Sequence, residues 1–177
     1  MRWVAVLLVL SVLATPAMAQ TTVIVTTNPG ITPDNPLYFL DVLLDNLQEW
    51  LASLQGPEAL TAVKIHILEE RLAEAQAMAM QNKTDAMERA MYYANLKIKE
   101  LEDLSQTCPN CAQMCLHATE QAQKVLEECI KMCPEEAKKG LERSLEEVKK
   151  AHERIKERVG SIISSVPTAT ACSHCSG

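Results

Sequence analysis

The stretch Thr107–Cys133, TCPNCAQMCLHATEQAQKVLEECIKMC, carries five of the seven cysteines and sets the reading of the fold. Thr107 is suited to an N-cap, Pro109 to a first helical turn and Pro134 to the first turn of a following helix, so the stretch reads as one bounded helix. At ~100° per residue Cys108, Cys111 and Cys115 share a face, and the alternation of three and four continues through Ala118, Ala122, Val125 and Cys129 to Met132 and Cys133. All five thiols therefore lie along an apolar seam. The pairs Cys111/Cys115 and Cys129/Cys133 are placed symmetrically about Ala122, so an antiparallel copy of this helix would bring pair against pair.

Outward from this stretch the chain keeps the same period. Asp34-Asn35-Pro36 gives a cap and a proline at a first helical position, and Leu37, Leu40, Leu43, Leu44, Leu47, Leu51 and Leu54 mark an amphipathic helix ending near Gly56. Pro57 starts a second helix with the stripe Ile65, Leu68, Leu72, Ala75 and Ala79. Thr84 caps a third, with Met87, Met91, Ala94, Ile98, Leu101 and Leu104 inward. After Pro134 comes a long helix with the stripe Ala137, Leu141, Leu145, Val148, His152, Ile155, Val159 and Ile162 and a Lys/Arg/Glu outer face. Gly140 is its weak point. The expected helices are 36–55, 57–81, 84–105, 108–132 and 134–163. Together they predict an all-α, antiparallel bundle of about five helices ending in a long two-helix hairpin.

The first twenty residues, MRWVAVLLVLSVLATPAMAQ, have Arg2, an apolar run shorter than a membrane span and a small-residue site at Ala17-Met18-Ala19. They read as a signal peptide, residues 1–19, whose removal leaves no membrane span and a product secreted or held at the cell surface. Residues 20–33 read as an extended lead or short edge strand, 34–163 as the helical bundle domain, and 164–177 as a mobile Cys-containing tail. Residues 34–107 carry 13 acidic and 6 basic residues and residues 108–163 carry 10 of each, so neither half offers a basic nucleic-acid surface. Asn82-Lys83-Thr84, in the turn between the second and third helices, meets the N-glycosylation pattern at Asn82.

From Gly30 the text GITPDNPLYFLDVLLDNLQ, followed by Ala62-Val63-Lys64, by Leu68-Glu69-Glu70-Arg71-Leu72-Ala73-Glu74-Ala75 and by Lys83, resembles an uncharacterised domain family of exported archaeal and bacterial proteins. Gly30, Pro33, Asp34, Pro36, Tyr38 and Leu40 match its G-x-x-P-D-S-P-x-Y-x-L opening, with Asn35 where Ser is usual. Glu70–Ala75 matches a second block. The resemblance covers about residues 30–105 and implies an exported helical domain without assigned activity or catalytic residues. A second similarity is to cysteine-rich helical bundles that store copper(I), whose C-x2-C and C-x3-C repeats match Cys108/Cys111/Cys115 and Cys129/Cys133. Those bundles carry thiols on all their helices, whereas the first three helices here carry none.

Three chemistries compete for the thiols. Export favours disulfides. Cys115 and Cys129 lie ~21 Å apart on a straight helix, beyond the ~7 Å Cα reach of such a bond, so they cannot pair within it. Seven cysteines are an odd number, which leaves room for a free thiol, an interchain bond or a metal. For zinc or copper(I), Cys108, Cys111 and Cys115 converge on one side. A hairpin folded at Pro134 puts residues summing to about 267 level, which brings His152 opposite Cys115 to within one turn. Cys172 and Cys175 of the tail could fold over the same end, while Cys129 and Cys133, ~20–30 Å away, pair elsewhere or link a homodimer through the cysteine helix. His152 reads equally as a hydrogen-bonded, half-buried histidine, and His66 and His117 face solvent. The methionines read as core filler.

A redox role at Cys108-Pro109-Asn110-Cys111 lacks the α/β context of thioredoxin-like motifs. Neither C-x2-C is followed by His, which excludes covalent c-type haem attachment by that pattern. No phosphate-binding glycine loop, G-x-S-x-G or H-E-x-x-H occurs. The sequence therefore points to a non-enzymatic structural or interaction module stapled by cysteines, with metal binding as the alternative.

Overall fold

The computed structural model describes residues 29–165. Five helices follow in order: α1 Tyr38–Ser53, α2 Pro57–Met80, α3 Thr84–Ser105, α4 Pro109–Met132 and α5 Glu135–Ser165. They match the periodicity reading closely, and the described residues contain no strand. None of these helices is long and apolar enough to cross a membrane. The 1–19 leader, residues 20–28 of the lead and the tail from 166, with Cys172 and Cys175, lie outside the described residues.

Helices α2 to α5 form two hairpins, α2/α3 and α4/α5, packed so that α3 meets α5 and α2 meets α4. The core between them is built from Leu68, Leu72, Met78, Met87, Met91, Ile98, Leu101, Leu126, Leu141, Val148 and Ile155, with alanines where helices approach closely. Small residues at the contacts let the axes draw together, and methionine fills the irregular gaps. Polar ties hold the rim. Asn95 on α3 donates to Ser144 on α5 at 3.1 Å, and Arg154 on α5 forks onto Glu102 on α3 at 2.5 and 2.8 Å.

The helix starts differ in detail from the expected caps. Asp34 does not cap α1. Its carboxylate accepts from Thr32 and from Lys83, each at 2.6 Å, and the Asn35 side-chain oxygen takes the Leu37 N–H instead, at 2.9 Å. At α4 the capping position falls on Cys108, whose sulfur accepts the Cys111 N–H at 3.0 Å, while the Thr107 hydroxyl turns back to the Leu104 carbonyl at the end of α3. Pro109 fills the first turn of α4, where a missing N–H leaves no intrahelical bond unmade.

The main departure is α1. An amphipathic helix ordinarily turns its apolar stripe to the core. Here Leu37, Leu40, Leu43, Leu44, Leu47, Leu51 and Leu54 all face outward, and the residues of α1 buried against the bundle are Tyr38, Asp45 and Ala52. The fold is a four-helix bundle with a fifth helix laid across its outside, polar face down. Consequently α2 is buried on both flanks, and Thr61, Lys64, Arg71, Glu74 and Gln76 are buried along with its apolar stripe.

Candidate functional site

Two ionic clusters hold α1 in this inverted pose. In the first, the Arg71 guanidinium on α2 lies 5.2 Å from the centre of the Tyr38 ring. It donates to the Tyr38 hydroxyl at 2.7 Å, pairs with Glu74 at 2.8 Å and Asp45 at 3.0 Å, and also bonds Asp41. Tyr38 in turn donates to Glu74 at 3.0 Å. One guanidinium thus serves three carboxylates in a site where Arg71 and Glu74 are each 1% exposed. Burial pushes Glu74 up to about 7 and Asp45 up to about 6, against the pull of Arg71 in both cases. Burial alone would lower Arg71, but its bond to Asp41 and the field of Glu74 more than reverse this and raise it. Burial and the Glu74 charge likewise raise Tyr38.

The second cluster is electrically balanced. Lys64 on α2 bonds Glu49 of α1 and reaches Glu100 of α3 at 2.6 Å, and Lys97 of α3 reaches the same two carboxylates at 2.5 and 2.8 Å. Burial tends to raise Glu100, but the two lysines hold it below the ordinary range. The two glutamates hold Lys97 above its own ordinary range, against the effect of burial. Polar groups in a desolvated seam are costly unless each meets a partner, so these two clusters fix the rotation of α1 about its axis. With Asp41, Asp45 and Glu49 turned inward, the leucines have only the outside left to them.

That outer face is broad. Phe39 and Trp50 flank the leucines and are themselves exposed, Phe39 at 63%, and Leu54 is exposed at 69%. Beside its first turn an open cleft of about 720 Å³ is lined by Pro33, Pro36, Tyr38, Phe39, Tyr92 and Tyr93 together with Asp85, Glu88 and Arg89. Tyr93 packs edge-on against both Tyr38 and Tyr92, with ring centres 5.9 and 5.3 Å apart.

The cysteines are sealed by comparison. Cys108 and Cys111 form a disulfide with Cα atoms 5.2 Å apart. Cys115 lies free and wholly buried, its thiol pushed up to about 12 by burial. Cys129 and Cys133 are buried with their sulfurs 3.1 Å apart, and burial together with that contact raises Cys129. His152 stands half-buried, its Nδ1 3.0 Å from the Thr119 hydroxyl, one turn along α4 from the position expected opposite Cys115. Pro134 sits in the turn and α5 begins at Glu135, which shifts the register of the hairpin. Among the described residues no three Cys, His, Asp or Glu side chains are grouped to hold one ion. Of the residues named for a zinc or copper(I) site, Cys172 and Cys175 lie outside the described residues. Met132, expected on the seam, is exposed, as are His66 and His117. Asn82 sits exposed at φ 56° in the α2–α3 turn, where a short polar side chain tolerates the left-handed region.

The residues that carried the family resemblance converge on α1. Tyr38, Arg71 and Glu74 meet in the first cluster, and Asp34 and Lys83 pair across the adjoining turns. The sequence profile of a domain of unknown function, DUF5667, matches residues 30–136. The chain belongs to the DUF5667 family. The match takes in α1 to α4 and the turn into α5, so the DUF5667 region includes the whole inverted dock of α1. No curated protein and no solved structure matches the chain. Buried Lys64, Arg71, Glu74 and Lys97 were not singled out as site residues from sequence. The signal was present as a second stripe on α1, Asp41/Asp45/Glu49, facing cations seven residues apart on α2, Lys64 and Arg71.

Proposed function

We propose that this protein is an exported, non-enzymatic interaction module, stapled by Cys108–Cys111, whose working surface is the leucine face of α1. The partner is a protein that supplies an apolar helical face. The observation that carries this reading is the inversion of α1: buried ion pairs at Arg71, Lys64 and Lys97 hold out a continuous row of leucines that the helix would otherwise bury. Single exposed leucines are ordinary on a soluble surface, but a contiguous row with Phe39 and Trp50 beside it is the signature of an interface. Export is supported by the leader pattern of residues 1–19 and by the chemistry of a disulfide, which persists in oxidising compartments.

The test is to charge the face. Leu43→Glu and Leu51→Glu, separately and together, are expected to keep the helical circular-dichroism signal and to change stability by less than about 1 kcal/mol, as at a surface. If these leucines were core residues in solution, the same changes would cost several kcal/mol and unfold the helix, which would overturn the reading. Amino-terminal sequencing of the protein recovered from outside the cytoplasm is expected to begin at Gln20.

A further inference from the structure

We infer that the partner seated on α1 is a second copy of this chain, paired antiparallel through α1; this rests on the reading of that face as an interface. Six of the seven exposed leucines on and around α1, Leu37, Leu40, Leu44, Leu47, Leu51 and Leu54, are spaced three, four, three, four and three. That is an a/d seam of two and a half heptads, widened along one edge by Leu43 and Trp50 at successive g positions, and it is the pattern by which one helix interlocks with another. With Phe39, Leu43 and Trp50 alongside, the apolar area offered is on the order of 800 Å², about what each partner of a stable standard-size interface contributes.

The flanking positions choose the partner and its direction. Between Ile31 and Val63 the chain has no Lys or Arg, so the face has no cation with which to attract an anionic lipid surface. The acidic residues of α1 turn toward the bundle, Asp41 and Asp45 to Arg71 and Glu49 to Lys64 and Lys97, so no carboxylate stands in the a/d seam between two copies. In an antiparallel pair Leu44 meets Leu47 of the other copy, and Leu40 and Leu37 meet its Leu51 and Leu54. The edges then match like with like: Leu43 lies beside Trp50 on one side, and Asp41 beside Gln48, a carboxylate beside an amide donor, on the other. A parallel pair would instead set Leu43 and Trp50 against Gln48 and Gln55. The antiparallel arrangement is also self-complementary about a twofold axis, as a closed dimer requires.

Sedimentation of the mature chain, beginning at Gln20, over a wide concentration range tests this. The expected result is a reversible dimer, with Trp50 emission moving to the blue as it forms. Leu44→Glu with Leu47→Glu, both at half-exposed positions (55% and 50%), is expected to weaken the dimer more than ~100-fold while the monomer stays helical. Leu44→Gln with Leu47→Gln is the uncharged second variant and should weaken it in the same direction. A photo-crosslinker at position 43 is expected to capture the segment around Trp50 of the other copy; capture around Gln48 would overturn the antiparallel register. A chain that stays monomeric at every concentration overturns the pairing, whether phosphatidylglycerol vesicles or its own residues 20–28 then occupy the face. The interface reading survives that result if the charged Leu43 and Leu51 variants still fold, and falls with it if they do not.

Discussion

Arg71 and Glu74, one helical turn apart on α2, form an ion pair of 2.8 Å in which each side chain is only 1% exposed. The pair lies beneath α1, and the same guanidinium also bonds Tyr38, Asp41 and Asp45 of that helix. Removing the cation alone leaves buried carboxylates with no counter-charge. Arg71→Met is therefore expected to cost about 3–5 kcal/mol in urea unfolding. Arg71→Met with Glu74→Leu should recover part of the loss, because it removes both charges of the pair. A single Arg71→Met variant as stable as the parent would show that the cluster does not hold α1 in place.

The pH dependence of this cluster has a definite sign. Glu74 is raised from 4.5 to about 7 and Asp45 from 3.8 to about 6, so over that window the folded chain binds more protons than the unfolded one. Unfolding then releases protons, and this contribution is fully present below the unfolded values and is lost as pH rises through the folded ones. Stability is expected to fall on the order of 2 kcal/mol between about pH 4.5 and 7.5. Glu74→Gln should flatten that slope in melting curves recorded across the window. Asp34, held down to about 2 by its bonds to Lys83 and Thr32, works in the opposite sense and only at lower pH.

The free thiols are protected twice, by burial and by the raised pKa of Cys115 and Cys129. Since the thiolate is the reactive form, iodoacetamide at neutral pH is expected to leave Cys115, Cys129 and Cys133 unmodified in the folded protein and to modify all three after guanidinium unfolding. Peptide mapping by mass spectrometry reads this out site by site. Cys108→Ser with Cys111→Ser opens a very short loop and should cost no more than about 2 kcal/mol.

Two glycines respond oppositely to alanine. Gly56, in the turn between α1 and α2, has φ 117°; a Cβ there would meet nothing within 4 Å, yet the backbone itself is strained for an L residue. Gly56→Ala should destabilise by about 1–2 kcal/mol. Gly160 lies within α5 with open space around its Cβ position, and Gly160→Ala should stabilise by about 0.5 kcal/mol in the same unfolding assay. Gly140→Ala should gain less, because its Cβ would come 3.1 Å from the Met87 methyl.

The helices were legible because period and punctuation are local properties. Leu141, Val148 and Ile155 declare one face of α5, and Pro57, Pro109 and Pro134 mark where helices begin, with no reference to the rest of the chain. The burial of the cysteine seam followed in the same way, as did the solvent-facing positions of His66 and His117. Spacing also placed Cys108, Cys111 and Cys115 on one face of the helix. The bond between Cys108 and Cys111, the sealing of Cys115 and the contact of His152 with Thr119 are visible only in the packed structure.

The orientation of α1 belonged to the tertiary structure alone. Its sequence gives two good faces, a leucine heptad and an acidic stripe, and hydrophobicity by itself favours burying the leucines. The acidic face went inward because α2 and α3 bring Lys64, Arg71 and Lys97 to the surface it covers, and buried cations left without counter-charges would cost more than the exposed leucines do. That match is between residues some 15 to 50 positions apart in the chain, and it is complete only once the α2/α3 hairpin has formed.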